Sequence, residues 1–285
     1  MNIFTRQYKT VDPVITVMIP MFRAEYIGWV ALESLANQNS VSFPWELIIA
    51  EEQQDETFGW LQLLTYESKL VANQCVKISY VALKTWIPLA DKMSLMVQYS
   101  HSRTNIFIFH AADYYSNPKR LNETYYAFTD ENVCWFIPPK LLEFNIQRQS
   151  HILCVDKTKT KRQDDMPGKA IRARIVRQAL NYMHGRSRSV DGLVYLACKE
   201  IFGDSNIFTI NKSDSWQQNL SVEGIGTLSN KVTDRLFRRP NKWDGAYSVW
   251  PHPLETIVPE SIARRLSRSK INIRYHNLEI PECIK

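Results

Sequence analysis

A single carboxylate stands where an apolar run ends: Ile106-Phe-Ile-Phe109 gives way to His110-Ala-Ala-Asp113, two tyrosines and Pro118. Buried strands of α/β sheets read as continuous apolar runs, and ligands of such folds gather at the carboxyl ends of those strands. Asp113 therefore falls where chemistry is usually done. A second acidic end, Glu51-Glu52, closes the apolar run 45–50. Asp191 follows Arg186 and Arg188 and begins a helical segment reaching 202, where a carboxylate also suits an N-cap. Further on, Trp216, Trp243 and Trp250 stand among Lys231, Arg235, Arg238, Arg239 and Lys242. Aromatic faces beside cations suit sugar rings, or the bases and phosphates of a nucleic acid.

The elements that must position these groups follow from periodicity. Apolar runs at 14–20, 45–50, 76–82 and 105–109 recur at intervals of roughly thirty residues, the length of one βα unit. Between them the period becomes helical. Ile27, Ala31 and Leu35 share one face, as do Phe58, Leu61 and Leu64, and then Leu89, Met93 and Met96. Pro118 opens a further helix with Leu121, Tyr125 and Phe128 facing inward. Alternation of this kind predicts an α/β fold, a Rossmann-type, mostly parallel sheet with helices on both faces. Short strands are expected at 133–137, 142–146 and 152–155, and helices at 170–183 and 190–202. The charged stretch 156–168, with its Pro-Gly, reads as an exposed loop.

Composition narrows the function classes. Hydrophobic residues make up 45% and charged residues 22%, the balance of a globular chain with a full core. No apolar run approaches the roughly 20 residues of a membrane span, and residues 1–13 lack the apolar block of a secretory signal. A cytoplasmic protein is expected, with peripheral membrane contact left open. Five scattered cysteines without a CxxC pair argue against a disulfide framework or structural zinc. The net charge of +6 is uneven: residues 1–150 carry 12 Lys/Arg and 15 Asp/Glu, residues 151–285 carry 23 and 14. An anionic partner is implied, whether nucleic acid, phosphorylated donor or membrane surface.

The order of these pieces resembles the GT-A glycosyltransferases, especially the family 2-like inverting enzymes. The resemblance runs from Ile15-Thr-Val-Met-Ile-Pro-Met-Phe-Arg through Trp45-Glu-Leu-Ile-Ile-Ala-Glu-Glu, Leu89-Ala-Asp-Lys92 and His110-Ala-Ala-Asp113 to Val190-Asp191. It implies a catalytic domain over 1–205 that binds a nucleotide-diphosphate sugar, followed by a basic, aromatic acceptor-side region over 206–285. Glu51 then matches the acid that accepts a hydrogen bond from the nucleotide base, and Pro20, Phe22 and Arg23 lie on the turn the nucleotide passes. Asp191 matches the general base that takes the acceptor's proton.

Phosphate handling is where the chain departs from the family. An Asp-x-Asp pair normally grips Mg²⁺ or Mn²⁺, ions suited to hard oxygen ligands. Here His110 and Ala112 replace the two acids, and Asp113 remains. One reading keeps a metal on Asp113 and His110, with His252 joining. Another is metal-independent, a clamp of Lys92, Arg120, Arg172 and Arg174, since fixed cations stabilise diphosphate charge directly. A third leaves a catalytically inactive binding protein, or a nucleic-acid-binding protein. Arg172, Arg174, Arg188 and Trp243 are the acceptor or phosphate candidates. The acceptor is expected to be a glycan or glycolipid hydroxyl, or a hydroxylated nucleic-acid base, which would make the reaction a DNA modification.

Overall fold

The computed structural model describes residues 1–53, 57–137, 140–145, 152–156, 169–183, 190–203, 208–210, 218–223, 247–249 and 253–268. Four parallel strands form its centre: β2 (Ile15–Met21), β3 (Trp45–Glu52), β4 (Cys75–Leu83) and β5 (Ile106–Phe109). They are almost entirely buried, which is why each reads as an unbroken apolar run. The edge strand β1 (Asn2–Gln7) pairs antiparallel with β4. On the other side, β10 (Ala170–Arg172), β7 (Trp135–Ile137) and β11 (Phe208–Ile210) complete an eight-stranded sheet ordered β1-β4-β3-β2-β5-β10-β7-β11. A second sheet holds β6 (Tyr114–Tyr115), β8 (Lys140–Asn145), β9 (Ile152–Asp156), β12 (Gln218–Glu223) and β13 (Tyr247–Val249).

Alternation along the strands sorts the core into two layers. Ile15, Val17, Ile19, Leu47, Ile49, Ile78 and Tyr80 face α1 (Gly28–Ala36), α3 (Glu67–Ala72) and α8 (Glu260–Arg268). Met18, Ile48, Ala50, Val81, Phe107 and Phe109 face α4 (Leu89–Tyr99), α6 (Ala173–Met183) and α7 (Val190–Phe202). The period-2 geometry of a strand forces this division. No described helix is long and apolar enough to cross a membrane.

Two expected elements differ. The helix after β3 splits into α3 and the five-residue α2 (Trp60–Leu64), with Leu63 buried and Leu61 79% exposed. Phe58 belongs to the preceding loop, so the helix starts later and its phase turns Leu63 inward instead. Residues 170–172 form a strand instead of a helix start. They fill the slot between β5 and β7, antiparallel to both, and Arg172 N–H donates to the Cys134 carbonyl at 3.0 Å. Pro118 precedes α5 (Arg120–Ala127), in which Leu121 is buried as expected. The stretch 156–168 lies outside the described residues apart from Asp156, which ends β9.

Candidate active site at the carboxyl edge

Parallel register brings the chain's acids to one edge. Met21 lies opposite Glu51, and Glu51 opposite Ala82. His110 N–H donates to the Met18 carbonyl at 2.9 Å, so the turn 110–113 starts beside the end of β2. Pro20, Phe22, Arg23, Glu51, Glu52 and Asp113 are therefore grouped along the ends of three adjacent strands, the edge at which α/β folds bind ligands. Phe22 is 39% exposed, and Arg23 holds the left-handed φ of 49° with its guanidinium 5.5 Å from the Phe22 ring centroid. A non-glycine residue in that conformation is uncommon and gathers at ligand sites.

The adjacent acids at the end of β3 point to opposite faces and do different things. Glu51 is fully buried; its Oε1 accepts from Phe58 N–H at 2.7 Å, and its Oε2 from Gly59 N–H at 3.0 Å and the Tyr80 hydroxyl at 2.8 Å. Burial pushes its carboxyl above the ordinary range, against these three donors. Both oxygens are thus engaged within the fold. Glu52, also buried, takes Lys92 Nζ on Oε2 at 2.5 Å, and Lys92 donates as well to the Met21 carbonyl at 2.8 Å. Glu52 Oε1 has no hydrogen-bond partner among the described residues. Lys92 is buried within this pair, and burial moves its ammonium below the usual range. It is committed to the end of β3 and does not stand as an open phosphate clamp.

His110 is satisfied inside the protein. Its Nδ1–H donates to the Ala111 carbonyl at 2.8 Å, which leaves Nε2 to accept from the Ser116 hydroxyl at 2.9 Å. Burial, then the nearby Arg120 charge, drive its pKa down to about 3, so the ring is neutral and has no lone pair left for a metal. Asp113 keeps part of its surface exposed but is crowded by protein, and desolvation pushes its carboxyl up to about 6. Ala112 beside it is partly exposed and brings no ligand. Among the described residues no three acids, histidines or cysteines cluster as a metal site.

The remaining cations divide sharply. Arg172 is spent on bracing a turn, donating from Nε to the Val133 carbonyl at 2.9 Å and from Nη2 to that of Asp130 at 2.8 Å. Arg174 lies over the Phe202 ring at 4.2 Å. Arg120, the first residue of α5, is buried, its Nε lacks a partner among the described residues, and burial lowers its pKa to about 10. Lys169 was not singled out by sequence. It is buried where its carbonyl accepts from Phe109 N–H at 3.0 Å, beside the turn of Asp113, with Nζ 5.6 Å from the Trp135 ring centroid. Its signal was faint, because it follows the charged loop and reads as part of it. Asp191 is the second residue of α7, and only that placement is described; Arg188, Trp243 and His252 lie outside the described residues.

A central parallel sheet, helices on both faces and acids gathered at its carboxyl edge make this a GT-A-like glycosyltransferase fold, and the likeness to solved structures bears that out. Residues 1–349 of S. aureus TarS in complex with UDP-GlcNAc match with a TM-score of 0.53 and 16% identity, over 74% of this chain and 59% of that one. The mannosyltransferase PcManGT from Pyrobaculum calidifontis, in complex with GDP-Man and Mn²⁺, matches with a TM-score of 0.50 and 15% identity, over 82% of this chain and 63% of that one. The chain thus spans about 60% of the length of the TarS 1–349 structures it matches. No protein-family model matches it, and neither does any curated protein sequence.

Proposed function

We propose that the chain is a nucleotide-sugar-dependent glycosyltransferase working by single displacement with inversion. The observation that carries the reading is Glu52 Oε1, a buried acceptor without a partner among the described residues, at the carboxyl edge of a GT-A-like sheet with Asp113 on the same edge. A buried acceptor left unpaired costs about 1–3 kcal/mol, which a ligand N–H recovers on binding. Because Lys92 holds Oε2, Glu52 has one oxygen that no described residue engages. One oxygen suits the single imide N–H of uracil, whereas the adjacent N–H groups of guanine call for both. The donor is therefore a uridine-type diphosphate sugar, with Glu52 in the base role that Glu51 holds by sequence order.

Asp113 faces the diphosphate. Mg²⁺ and Mn²⁺ are held in such sites by one or two carboxylates with phosphate oxygens and water completing the shell, so a single Asp fits the ion when the donor supplies the rest. The ion would neutralise charge on the leaving diphosphate. Asp191 takes the acceptor's proton while the acceptor oxygen bonds to the anomeric carbon. The bond from that carbon to the diphosphate breaks, and its electron pair leaves with the nucleoside diphosphate. The acceptor is a glycan or glycolipid hydroxyl, or a hydroxylated nucleic-acid base.

The test is calorimetric titration of UDP-, GDP- and ADP-sugars with and without Mn²⁺, followed by release of nucleoside diphosphate. Uridine donors should bind at least tenfold tighter than the others, which is about 1.4 kcal/mol. Glu52→Gln should narrow that margin. Binding of no donor under any condition would refute the reading, and binding without turnover on any acceptor would leave a donor-binding protein in its place.

A further inference from the structure

Glu51 has three donors on two oxygens and is fully buried, an arrangement with no room for a ligand contact. Two of those donors are successive backbone amides, Phe58 and Gly59, and Gly59 holds the φ of 84° that lets both amides turn toward one carboxylate. What they restrain is the stretch 57–59 that leads into α2. Thr57 Oγ1 donates to the Glu52 carbonyl at 3.1 Å, which adds a further tie to the end of β3. The buried Phe58 ring is seated on Gly28 at the start of α1, so closely that a Cβ there would lie 2.9 Å from it.

We propose that Glu51 is a positioning residue: with Tyr80 it anchors residues 57–59 against the carboxyl edge and so fixes the wall of the nucleotide pocket that Glu52 reads. The inference rests on the donor-binding reading above. Charge-assisted bonds to backbone N–H are the strong kind, and a carboxylate taking two successive amides fixes the backbone between them. An amide side chain cannot replace it, since Gln would turn an NH₂ toward one of the two N–H groups. Tyr80 supplies the third donor from β4, and its ring lies 6.2 Å from that of Trp60, the first residue of α2. Glu51 thus acts on the donor through the backbone of 57–59.

The experiment combines amide hydrogen exchange with donor kinetics on Glu51→Gln and on the milder Tyr80→Phe. In Glu51→Gln, exchange at Phe58 and Gly59 should rise about tenfold or more, with amides inside β3 unchanged. The donor KM should rise about tenfold for every base alike, with kcat at saturating donor falling less than about threefold. Tyr80→Phe should give the same pattern about twofold to threefold in size, which serves if Glu51→Gln fails to fold. Unaltered exchange at Phe58 and Gly59 would overturn the proposal. So would a loss confined to one base, which marks direct contact. If the wild-type protein binds no nucleotide, the transferase reading falls, while the exchange arm still decides whether Glu51 anchors the segment.

Discussion

A carboxyl raised by burial stores a cost that appears only once it ionises. The Asp113 pKa is pushed up to about 6 from the ordinary 3.8, and desolvation is the larger cause. The folded state therefore binds this proton more tightly than the unfolded chain does. Stability contributed by the protonated form is complete below the unfolded value and disappears as pH rises through the folded one. Asp113→Asn should then raise Tm by about 3 °C at pH 8 and leave it unchanged at about pH 3.5, a modest gain because the side chain is partly exposed. The same substitution should cut donor turnover by about 100-fold or more, as expected for a group facing charge that develops on the leaving diphosphate. Thermal melts across pH, set beside turnover, check both. A variant that is stabilised and active would remove Asp113 from the site. His110 supplies the contrast: held neutral in the fold down to about pH 3 but protonated in the unfolded chain below about 6.5, it acts in the opposite direction and removes stability as pH falls through that window.

At the scale of elements, the site depends on contacts that spacing does not announce. A methyl on Gly28 would lie 2.9 Å from Phe58 Cδ2 and 3.3 Å from Met21 Cε, with the ring itself buried. Gly28→Ala should therefore destabilise by about 1 kcal/mol, the strain outweighing the helix propensity gained. In a Phe58→Leu background the strain is gone and the same change should be stabilising. A double-mutant cycle by denaturant titration reads the reversal directly. Additive effects would mean that the ring and the helix start are not in contact. The four central strands were legible because burial on both faces requires unbroken apolar runs. The exposed edge strand β1, Asn-Ile-Phe-Thr-Arg-Gln, carries no such pattern, and β10 exists only because β5 and β7 leave a slot three residues long. The acids of β3 were harder still. Glu46 takes Thr16 and the His101 amide on one oxygen at 2.7 Å, Glu51 anchors a loop, and Glu52 pairs with Lys92. All three are acids in one buried strand, and their roles differ by which face and which neighbour each meets. That is long-range information, absent from spacing.

Across the whole molecule, the far end of the chain closes the layer behind the site. Ile262, Ala263 and Leu266 of α8 are buried in the same core as α1, and the Arg265 guanidinium lies 3.8 Å from the Trp29 ring centroid. Trp29 follows Gly28, the residue on which Phe58 is seated. A path of direct contacts thus leads from α8 through the start of α1 to residues 57–59 and Glu51. If α8 belongs to the same cooperative unit as the sheet, Leu266→Ala should cost about 2–4 kcal/mol and shift one unfolding transition as a whole. Arg265→Met, which keeps the aliphatic stem over the indole, should cost only about 0.5–1 kcal/mol. Hydrogen exchange near the denaturation midpoint distinguishes the arrangements: amides of α8, α1 and β2 should lose protection together. Loss in α8 alone, with β2 still protected, would make the helix a peripheral cover, and the Leu266 variant should then leave donor affinity intact. If protection is lost in common, the same variant should also loosen Phe58 and raise the donor KM, tying the chain's basic second half to the acidic edge proposed to bind the donor.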